Sequence, residues 1–170
     1  MSWWSELGRK LRGEPEPVVL PELPPPPTGE EILASVESVR ARVAGRVPPA
    51  IAARVDRIAR TVAVMVPRLD RPGLGSQQAH TVVATATSYL PEAVDAYLRL
   101  PRDFADRRVV ANGKTSLMLL VDQLDLLSAT LTKISDAVSR QDANALIAHG
   151  AFLEEKFKGS TLTTPPMEAP

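Results

Sequence analysis

Apolar residues recur three or four positions apart over most of the chain, a spacing that places them on one face of an α-helix. The first such stretch follows Thr28 and Gly29 and ends at Gly45 and the prolines at 48 and 49. The second begins after those prolines and ends at Pro67. The pattern therefore predicts two consecutive helices, whose apolar faces consist of Ile32, Val36, Val39 and Val43 in the first and of Ile51, Val55, Ile58, Val62 and Val66 in the second.

A further stretch from about Gln77 to Leu100 has the same spacing but contains Pro91. Proline has no backbone N–H, and its ring collides with the preceding helical turn. We therefore expect either a kink or two shorter helices, with Pro91 at the first position of the second one. A polar connection from Pro101 to Gly113 is expected to follow.

The clearest pattern covers three heptads, in which Leu117, Leu120, Leu124, Leu127, Leu131, Ile134 and Val138 alternate in steps of three and four. Four neighbouring apolar residues widen this face, which predicts a central helix contacted from more than one side: Met118, Leu119, Val121 and Leu126. The helix is expected to end near Arg140. Asp142 is expected to cap a separate helix, in which Leu146, His149, Leu153 and Phe157 share a face.

No run of residues combines strand-like alternation with flanking turn signals, so the sequence predicts an all-α fold. Residues 29–158 are predicted to form an antiparallel bundle of four to five helices. Residues 13–28 contain seven prolines and are predicted to form an extended linker. At ~3.1 Å per residue that linker reaches on the order of 50 Å. Residues 159–170 lack periodicity and are predicted to be disordered.

Both tryptophans of the chain are adjacent, at Trp3 and Trp4, ahead of the proline-rich linker. Residues 1–12 are predicted to form an amphipathic helix, in which Trp3, Trp4, Leu7 and Leu11 fall within an arc of about 100°. Cationic residues flank this apolar arc at Arg9, Lys10 and Arg12. A helix this short is marginal in water and is expected to fold only against another surface.

Three surfaces are compatible with this segment. An anionic lipid headgroup region suits indole rings, which are apolar but carry a polar N–H, and it attracts the cationic flanks. A groove on a partner protein would use the tryptophans as anchors. The segment could also pack on its own bundle, although the proline-rich linker argues against that. The sequence favours the lipid surface somewhat over the partner groove, but it leaves both of these surfaces open.

Composition narrows the possible classes of protein. No stretch approaches about 18 consecutive apolar residues, so no transmembrane helix is expected. The N-terminus lacks the order of regions in a secretory signal. The chain has no cysteine, which is consistent with a reducing cytoplasm and excludes disulfides and thiolate metal sites. Lysine plus arginine equals aspartate plus glutamate at 20 each, but residues 40–72 hold eight arginines and only two aspartates.

The arginine-rich region could in principle bind nucleic acid or anionic lipid. It contains no aromatic residue for base stacking and no recognisable DNA-binding signature. We therefore interpret it as a solvated bundle face that pairs with the acidic helices towards the tail of the chain, and no nucleic-acid partner is expected.

The sequence offers no convincing catalytic, cofactor or metal site. Asn112-Gly113-Lys114-Thr115 resembles the end of a phosphate-binding loop, but Arg108 stands where that motif requires glycine. The two histidines, His80 and His149, lack a second ligand at helical metal spacing. Asp122 and Asp125 lie off the apolar stripe, so solvation is a simpler interpretation than an acid/base pair. We expect a non-enzymatic protein without cofactor or metal.

Two segments carry a family resemblance. The first is Tyr89-Leu90-Pro91, continued through Pro101, and the second comprises residues 123–127 and 152–157, with the sequences QLDLL and FLEEKF. Together they resemble the helical part of XpaC-like proteins, the 5-bromo-4-chloroindolyl phosphate hydrolysis family, over about residues 76–158. That family is associated with toxic-anion-resistance proteins and envelope stress. The resemblance implies a cytoplasmic, membrane-proximal helical protein, although the transmembrane segments frequent in the family have no counterpart in this chain.

These observations predict a membrane-proximal adaptor that is peripheral to the inner face of the membrane. The amphipathic helix would attach to anionic lipid or to a membrane-associated protein, and the bundle would act in envelope or toxic-anion stress. Homo-oligomerisation is compatible with the sequence. The alternative is a soluble interaction module whose tryptophan motif docks into a groove on a partner protein.

Overall fold

The structure is a computed structural model that describes residues 25–71 and 74–160. The amphipathic helix predicted for residues 1–12, most of the linker predicted for residues 13–28, and all but the first two residues of the tail predicted for 159–170 lie outside this part of the chain. The described residues form an all-α bundle, as the sequence predicts. None of their helices is long and apolar enough to cross a membrane.

Four long helical segments run up and down and build the bundle. Helix α1 (Gly29–Val43) turns at Gly45 into α2 (Pro49–Met65), which ends in a 3₁₀ turn (Val66–Arg68). Helix α3 (Ser76–Ala84) continues through a π-helical turn (Thr85–Tyr89) into α4 (Leu90–Leu98). A short helix α5 (Arg102–Arg107) and two short strands, β1 (Val109–Ala111) and β2 (Lys114–Thr115), lead into α6 (Ser116–Ser160).

Side-chain pairs between helices fix their directions. Arg40 on α1 contacts Asp56 on α2 at 2.7 Å, so these two helices are antiparallel neighbours. Arg54 on α2 contacts Asp125 on α6 at 2.9 Å, and Arg68 reaches Ser139 further along α6, so α2 and α6 are parallel. Helix α4 packs on both α1 and α6 and closes the four-membered ring of segments.

The core consists of the apolar faces that the three-four spacing predicts. Every α1 face residue is buried, and so are most of those predicted for α2 and α6. Side chains with essentially no exposure include Ile51, Ile58, Leu90, Leu124 and Leu131. Burial of branched aliphatic side chains at about 1.5–3 kcal/mol each is the main term that stabilises the bundle.

Pro91 is the second residue of α4, not the first, and the helical backbone continues without a break from α3 through the π-helical turn into α4. The residues before it widen into a π-helical turn in which the N–H of Leu90 bonds to the carbonyl of Thr85, five residues back. A π turn of this kind removes the clash that proline causes in a regular α-helix.

The connection predicted to be polar and without strands is more ordered than expected. It contains α5 and a two-stranded antiparallel hairpin, in which Val109 pairs with Thr115 and Ala111 with Lys114. The turn residues Asn112 and Gly113 have φ values of 49° and 73°. Positive φ at both central positions is what a two-residue hairpin turn of type I′ requires, and Asn-Gly is the strongest sequence signal for such a hairpin. The prediction of no strand was therefore wrong for these residues.

The predicted break near Arg140 is also absent. Helix α6 is continuous over 45 residues, and Asp142 lies within it rather than at an N-cap. Residues 139–149 contain neither glycine nor proline, so nothing in this stretch forces the helix to end. The wider apolar face predicted for α6 is wrong at Met118 and Leu126, which are 48% and 67% exposed.

Candidate functional site

The proline-rich linker joins the bundle at a well-defined point, which we call the linker root (Pro25–Gly29). Its residues up to Thr28 are exposed to solvent. Thr28 caps α1 through a reciprocal pair of hydrogen bonds: its hydroxyl accepts the N–H of Glu31 at 3.2 Å, and the Glu31 carboxylate accepts the N–H of Thr28 at 2.7 Å. The N–H of Thr28 and its hydroxyl, at 3.0 Å, both donate to the Glu31 carboxylate and hold the pKa of Glu31 below its ordinary value. The capping box therefore fixes the residue at which the linker ends.

Gly29 allows the linker root to pack closely against the rest of the bundle. A Cβ at this position would lie 2.9 Å from Cγ1 of Val66, closer than two carbon atoms pack without a shift. The first turn of α1 thus lies directly against the 3₁₀ turn that follows α2. A side chain at position 29 would force Val66 or the helix to shift, so the linker starts from a packed position rather than from a frayed helix end.

Helix α6 leaves the bundle at the same end. Arg68, on the 3₁₀ turn that contacts Gly29, donates a hydrogen bond of 3.3 Å to Ser139 and lies 3.8 Å from Asp142. Beyond these contacts the side chains of residues 143–158 are exposed almost throughout. The remaining residues, 143–160, project about 27 Å at 1.5 Å per residue. The linker root and the projecting part of α6 therefore share one end of the molecule.

The residues predicted to bind a membrane or a partner lie outside the described part of the chain. They are Trp3, Trp4, Leu7, Arg9, Lys10, Leu11 and Arg12. The structure places their point of attachment, at the linker root, but not the residues themselves.

The arginine-rich region forms ion pairs within the bundle. Arg54 makes a two-pronged contact with Asp125, with N–O distances of 2.9 and 3.2 Å, and Arg42 reaches both oxygens of Asp95 at 2.7 Å. Two further arginines of this region share one carboxylate, that of Asp56, and another contacts Asp142, as described above; they are Arg40, Arg60 and Arg68. These five guanidinium groups therefore act between or along helices. Arg42, Arg54 and Arg68 pair with later helices as interpreted, whereas Arg40 and Arg60 pair with Asp56 inside the arginine-rich region.

A groove with both apolar and charged lining residues lies between α4 and α6 and was not predicted from the sequence. Its volume is about 590 Å³. Tyr89 and Leu126, which are 50% and 67% exposed, stand on opposite sides, and the small side chains of Ala93 and Ala96 also line it. Because Leu126 lines this groove and is exposed, the wide apolar face predicted for α6 is only partly buried in the core. The only sequence signal for the groove was the excess of apolar residues on α6.

Polar side chains are scarce in the described interior. The buried polar residues there are Thr85 and Ser128. Tyr97, which is 4% exposed, donates a hydrogen bond of 2.7 Å from its hydroxyl to Asp106 and so ties α5 to α4. Burial raises the pKa of Tyr97 to about 12, and the hydrogen bond to Asp106 and the charge of Asp106 act in the same direction. Within residues 25–71 and 74–160, acidic side chains and histidines do not form a cluster of three suited to a metal ion.

The hairpin occupies the segment that resembles a phosphate-binding loop. Lys114 directs its ammonium group to the carboxylate of Asp122 on α6. A phosphate loop instead leaves its lysine free to reach a nucleotide and lies between a strand and a helix N-terminus. The lysine of this motif thus has a structural partner, and Asn112-Gly113 forms a hairpin turn.

Comparisons of the chain with models of protein families, with curated proteins and with solved structures gave no match.

Proposed function

We propose that this protein is a membrane-proximal adaptor, attached by its N-terminal segment and presenting the helical bundle on a proline-rich linker. In this proposal Trp3, Trp4, Leu7 and Leu11 enter the headgroup region of an anionic membrane. Arg9, Lys10 and Arg12 then contact lipid phosphates. The site of action is the inner face of the cytoplasmic membrane, and the resemblance to XpaC-like proteins suggests a role in envelope or toxic-anion stress.

The observation that supports this proposal most is the linker root. The exposed residues up to Thr28 lead away from a capped and tightly packed first turn. A linker of 16 residues that starts there reaches on the order of 50 Å in an extended proline-rich conformation. Such a linker can hold the bundle clear of a surface while the tryptophans contact it.

The expected attachment is weak. Transfer of two indole rings and two leucine side chains out of water contributes several kcal/mol at about 25 cal/mol per Å². Ordering a 12-residue peptide offsets much of this gain. Each cationic side chain near an anionic surface adds roughly 1 kcal/mol. A single copy should therefore bind reversibly and should depend on both lipid charge and salt.

Co-sedimentation with vesicles tests this proposal. The full-length chain should pellet with vesicles containing anionic lipid and much less with neutral vesicles. Residues 14–170 alone, or the double variant Trp3→Ala/Trp4→Ala, should remain in the supernatant. A matched control is Phe152→Ala, which removes one exposed aromatic side chain from α6 and should leave pelleting unchanged.

The alternative proposal, docking of the tryptophan motif in a partner's groove, gives a different result. If the full-length chain and residues 14–170 behave alike with anionic vesicles, membrane attachment is wrong. A pull-down from native membranes would then compare the intact chain with the Trp3→Ala/Trp4→Ala variant. A protein retained only by the intact chain would support the groove-docking alternative.

A further inference from the structure

The end of the bundle opposite the linker root carries a group of exposed apolar and cationic side chains, which we call the hairpin patch (residues 99–118). It comprises the connection after α4, the short helix α5, both strands and the first residues of α6. Arg102 donates a hydrogen bond to the backbone carbonyl of Arg46, in the turn between α1 and α2. Because α1 leads from the linker root to that turn, the hairpin patch and the linker root lie at opposite ends of the bundle.

Four large apolar side chains of the hairpin patch are exposed to solvent. Their exposed fractions lie between 40% and 64%, and they are Phe104, Val109, Val110 and Met118. The patch is nevertheless fixed to the bundle, because Ala105 is fully buried and Asp106 accepts the hydrogen bond of Tyr97. Helix α5 and β2 also pack against α6. The exposed apolar side chains therefore belong to a packed part of the fold, and groups of this kind mark interaction surfaces.

The hairpin patch remains positively charged after its internal ion pairs are counted. Two of its five cationic side chains, Arg102 and Lys114, pair with aspartates. The other three form no ion pair within residues 25–71 and 74–160, and neither does Arg46 beside the patch; the three are Arg99, Arg107 and Arg108. One carboxylate of the patch, that of Asp103, is likewise unpaired within these ranges. The surface around the exposed valines is therefore cationic and complements an anionic partner.

We propose that the hairpin patch is a second membrane contact of this protein. Val109 and Val110 enter an anionic headgroup region, and Arg107 and Arg108 bind lipid phosphates. Exposed apolar side chains on a hairpin need no complementary pocket in a lipid surface, and neighbouring arginines are attracted by anionic lipid. A nucleic acid would also attract the arginines, but its phosphate backbone offers the exposed valines no apolar partner. The combination of the two kinds of side chain therefore favours a membrane.

The predicted linker is long enough to bring both contacts to one membrane. The bundle measures about 22 Å along the 15 residues of α1 and about 35 Å along the segment from Ser76 to Leu98, at 1.5 Å per residue. The linker predicted for residues 13–28 reaches on the order of 50 Å. Since this reach exceeds the length of the bundle, residues 1–12 and the hairpin patch can contact the same surface at the same time.

The hairpin patch alone should bind weakly. One arginine near an anionic surface strengthens association by about fivefold, and the two valines add only a small apolar area. Residues 14–170 are therefore still expected to remain in the supernatant. When residues 1–12 hold the chain at the membrane, the patch meets lipid at a high effective concentration and the second contact forms. The second contact thus rests on the proposed function for its affinity, although it lies at the other end of the bundle.

A fluorescent label on the hairpin tests the contact directly. Because the chain has no cysteine, Ala111→Cys provides a single attachment point for a polarity-sensitive fluorophore in β1. With vesicles of phosphatidylcholine and phosphatidylglycerol, the emission of the labelled full-length chain should increase and shift to shorter wavelength. The matched control is Ala148→Cys, labelled in the same way, since Ala148 is also exposed but lies on the projecting part of α6. The emission of this control should stay unchanged.

Variants that remove charge test the role of the arginines. Arg107→Gln/Arg108→Gln should abolish the response of the label at position 111 and weaken vesicle binding of the full-length chain by about fivefold or more. The matched control is Arg57→Gln/Arg71→Gln, which removes two exposed arginines that lie outside the patch and form no ion pair among the described residues. This control should change binding by less than about twofold, because its arginines do not face the lipid. Circular dichroism checks that every variant keeps its helix content.

Tethering tests the hairpin patch independently of residues 1–12. The full-length variant Trp3→Ala/Trp4→Ala, with an N-terminal hexahistidine tag, can be held on nickel-chelating vesicles whether or not residues 1–12 bind lipid. The label at position 111 should then respond on vesicles that contain phosphatidylglycerol and not on those of phosphatidylcholine alone. If this response is seen but the untagged chain does not pellet, the hairpin contact stands and attachment by residues 1–12 is wrong.

Three results would overturn the hairpin contact. One is an unchanged label at position 111 on the tethered anionic vesicles; if the untagged chain still pellets, attachment by residues 1–12 stands and only the second contact is wrong. Another is an equal response of the labels at positions 111 and 148, which would indicate non-specific adsorption. The third is a larger response to duplex DNA than to anionic vesicles at the same salt concentration, which would indicate a nucleic-acid surface.

Discussion

The hydroxyl of Ser35 on α1 donates a hydrogen bond of 2.8 Å to the backbone carbonyl of Ala86. Ala86 lies in the π-helical turn, where Leu90 bonds five residues back to Thr85. The next bond of that series would run from residue 91 to Ala86, but Pro91 has no N–H. Ser35 therefore supplies, from a neighbouring helix, the donor that Pro91 cannot provide.

Replacing Ser35 by alanine should destabilise the bundle by about 1–2 kcal/mol, because a partly buried carbonyl loses its hydrogen bond. The measurement is the free energy of unfolding in urea. Ser38→Ala is the matched control, since Ser38 lies one turn further along α1 and is exposed. It should leave stability within about 0.5 kcal/mol of the unmodified chain.

The role assigned to Pro91 makes a second, stricter prediction. Pro91→Ala restores an N–H that can bond to Ala86 or to Thr87. In that background the cost of Ser35→Ala should fall by about 1 kcal/mol, giving a measurable coupling in a double-mutant cycle. Additive effects of the two substitutions would contradict the idea that Ser35 replaces the missing donor of Pro91.

Periodicity predicted the helices that have one buried face. The spacing of Ile32, Val36, Val39 and Val43 led directly to α1, whereas the capping box of Thr28 with Glu31 at its start became visible only in the structure. The end of α6 could not be predicted in this way. After Val138 the apolar stripe restarts out of step, which looks like a helix break when only the face is followed. The backbone continues because nothing in residues 139–149 stops it.

Contacts that depend on three-dimensional neighbours were not visible in the sequence. Ser35 is one polar residue in an amphipathic pattern, and its partner is created by a π turn 51 residues away. The groove beside Tyr89 and Leu126 depends on how far α4 and α6 stand apart. The Asn112-Gly113 turn had a clear local signal, which we interpreted only against a nucleotide motif. The tryptophan segment remains a prediction, since it lies outside the described residues.

Gly29 should not tolerate a side chain. Gly29→Ala places a Cβ 2.9 Å from Cγ1 of Val66 and should destabilise the bundle by about 1–3 kcal/mol, despite the better helix propensity of alanine. Thermal or urea unfolding measures the effect. Val66→Ala in the same chain should recover part of the loss by removing the clashing methyl groups. Full tolerance of Gly29→Ala would show that the linker root is not tightly packed.

The hairpin turn should depend on Gly113, whose φ of 73° is unfavourable for other residues. Gly113→Ala should cost about 1 kcal/mol or more, since a residue with a Cβ is strained at this positive φ. Hydrogen exchange of the hairpin amides is the sharper measurement, and it should accelerate while the amides of α2 stay protected. Unchanged exchange at residues 109–115 would contradict the role given to this turn.

The ion pair between Arg54 and Asp125 should contribute more than the exposed pair of Arg60 with Asp56. The first joins two helices with fork geometry and has its arginine 27% exposed, whereas the second has its arginine 70% exposed and spans one turn of α2. A double-mutant cycle with alanine should give about 1 kcal/mol for the first pair and about 0.3–0.5 kcal/mol for the second. Added salt should weaken both couplings. Equal couplings for the two pairs would contradict the role of helix-to-helix geometry.

The raised pKa of Tyr97 predicts how the stability of the bundle changes at alkaline pH. Its pKa is raised to about 12 in the folded chain by burial and by the contact with Asp106, against about 10 for an unfolded tyrosine. Between these values the folded state binds more protons than the unfolded state, so stability falls as pH rises. The contribution is fully present below about pH 10 and is lost through about pH 12, with a full size of about 3 kcal/mol.

Urea unfolding at pH 9 and pH 11.5 measures this loss. The variant Tyr97→Phe lacks the titrating hydroxyl. Between these two pH values it should lose about 2 kcal/mol less stability than the unmodified chain. Tyr89→Phe is the matched control, because Tyr89 is 50% exposed, and this variant should follow the unmodified chain. If Tyr97→Phe and Tyr89→Phe respond alike to pH, the alkaline loss comes from other groups. The buried hydroxyl of Tyr97 would then not be the link by which α5 is held to α4.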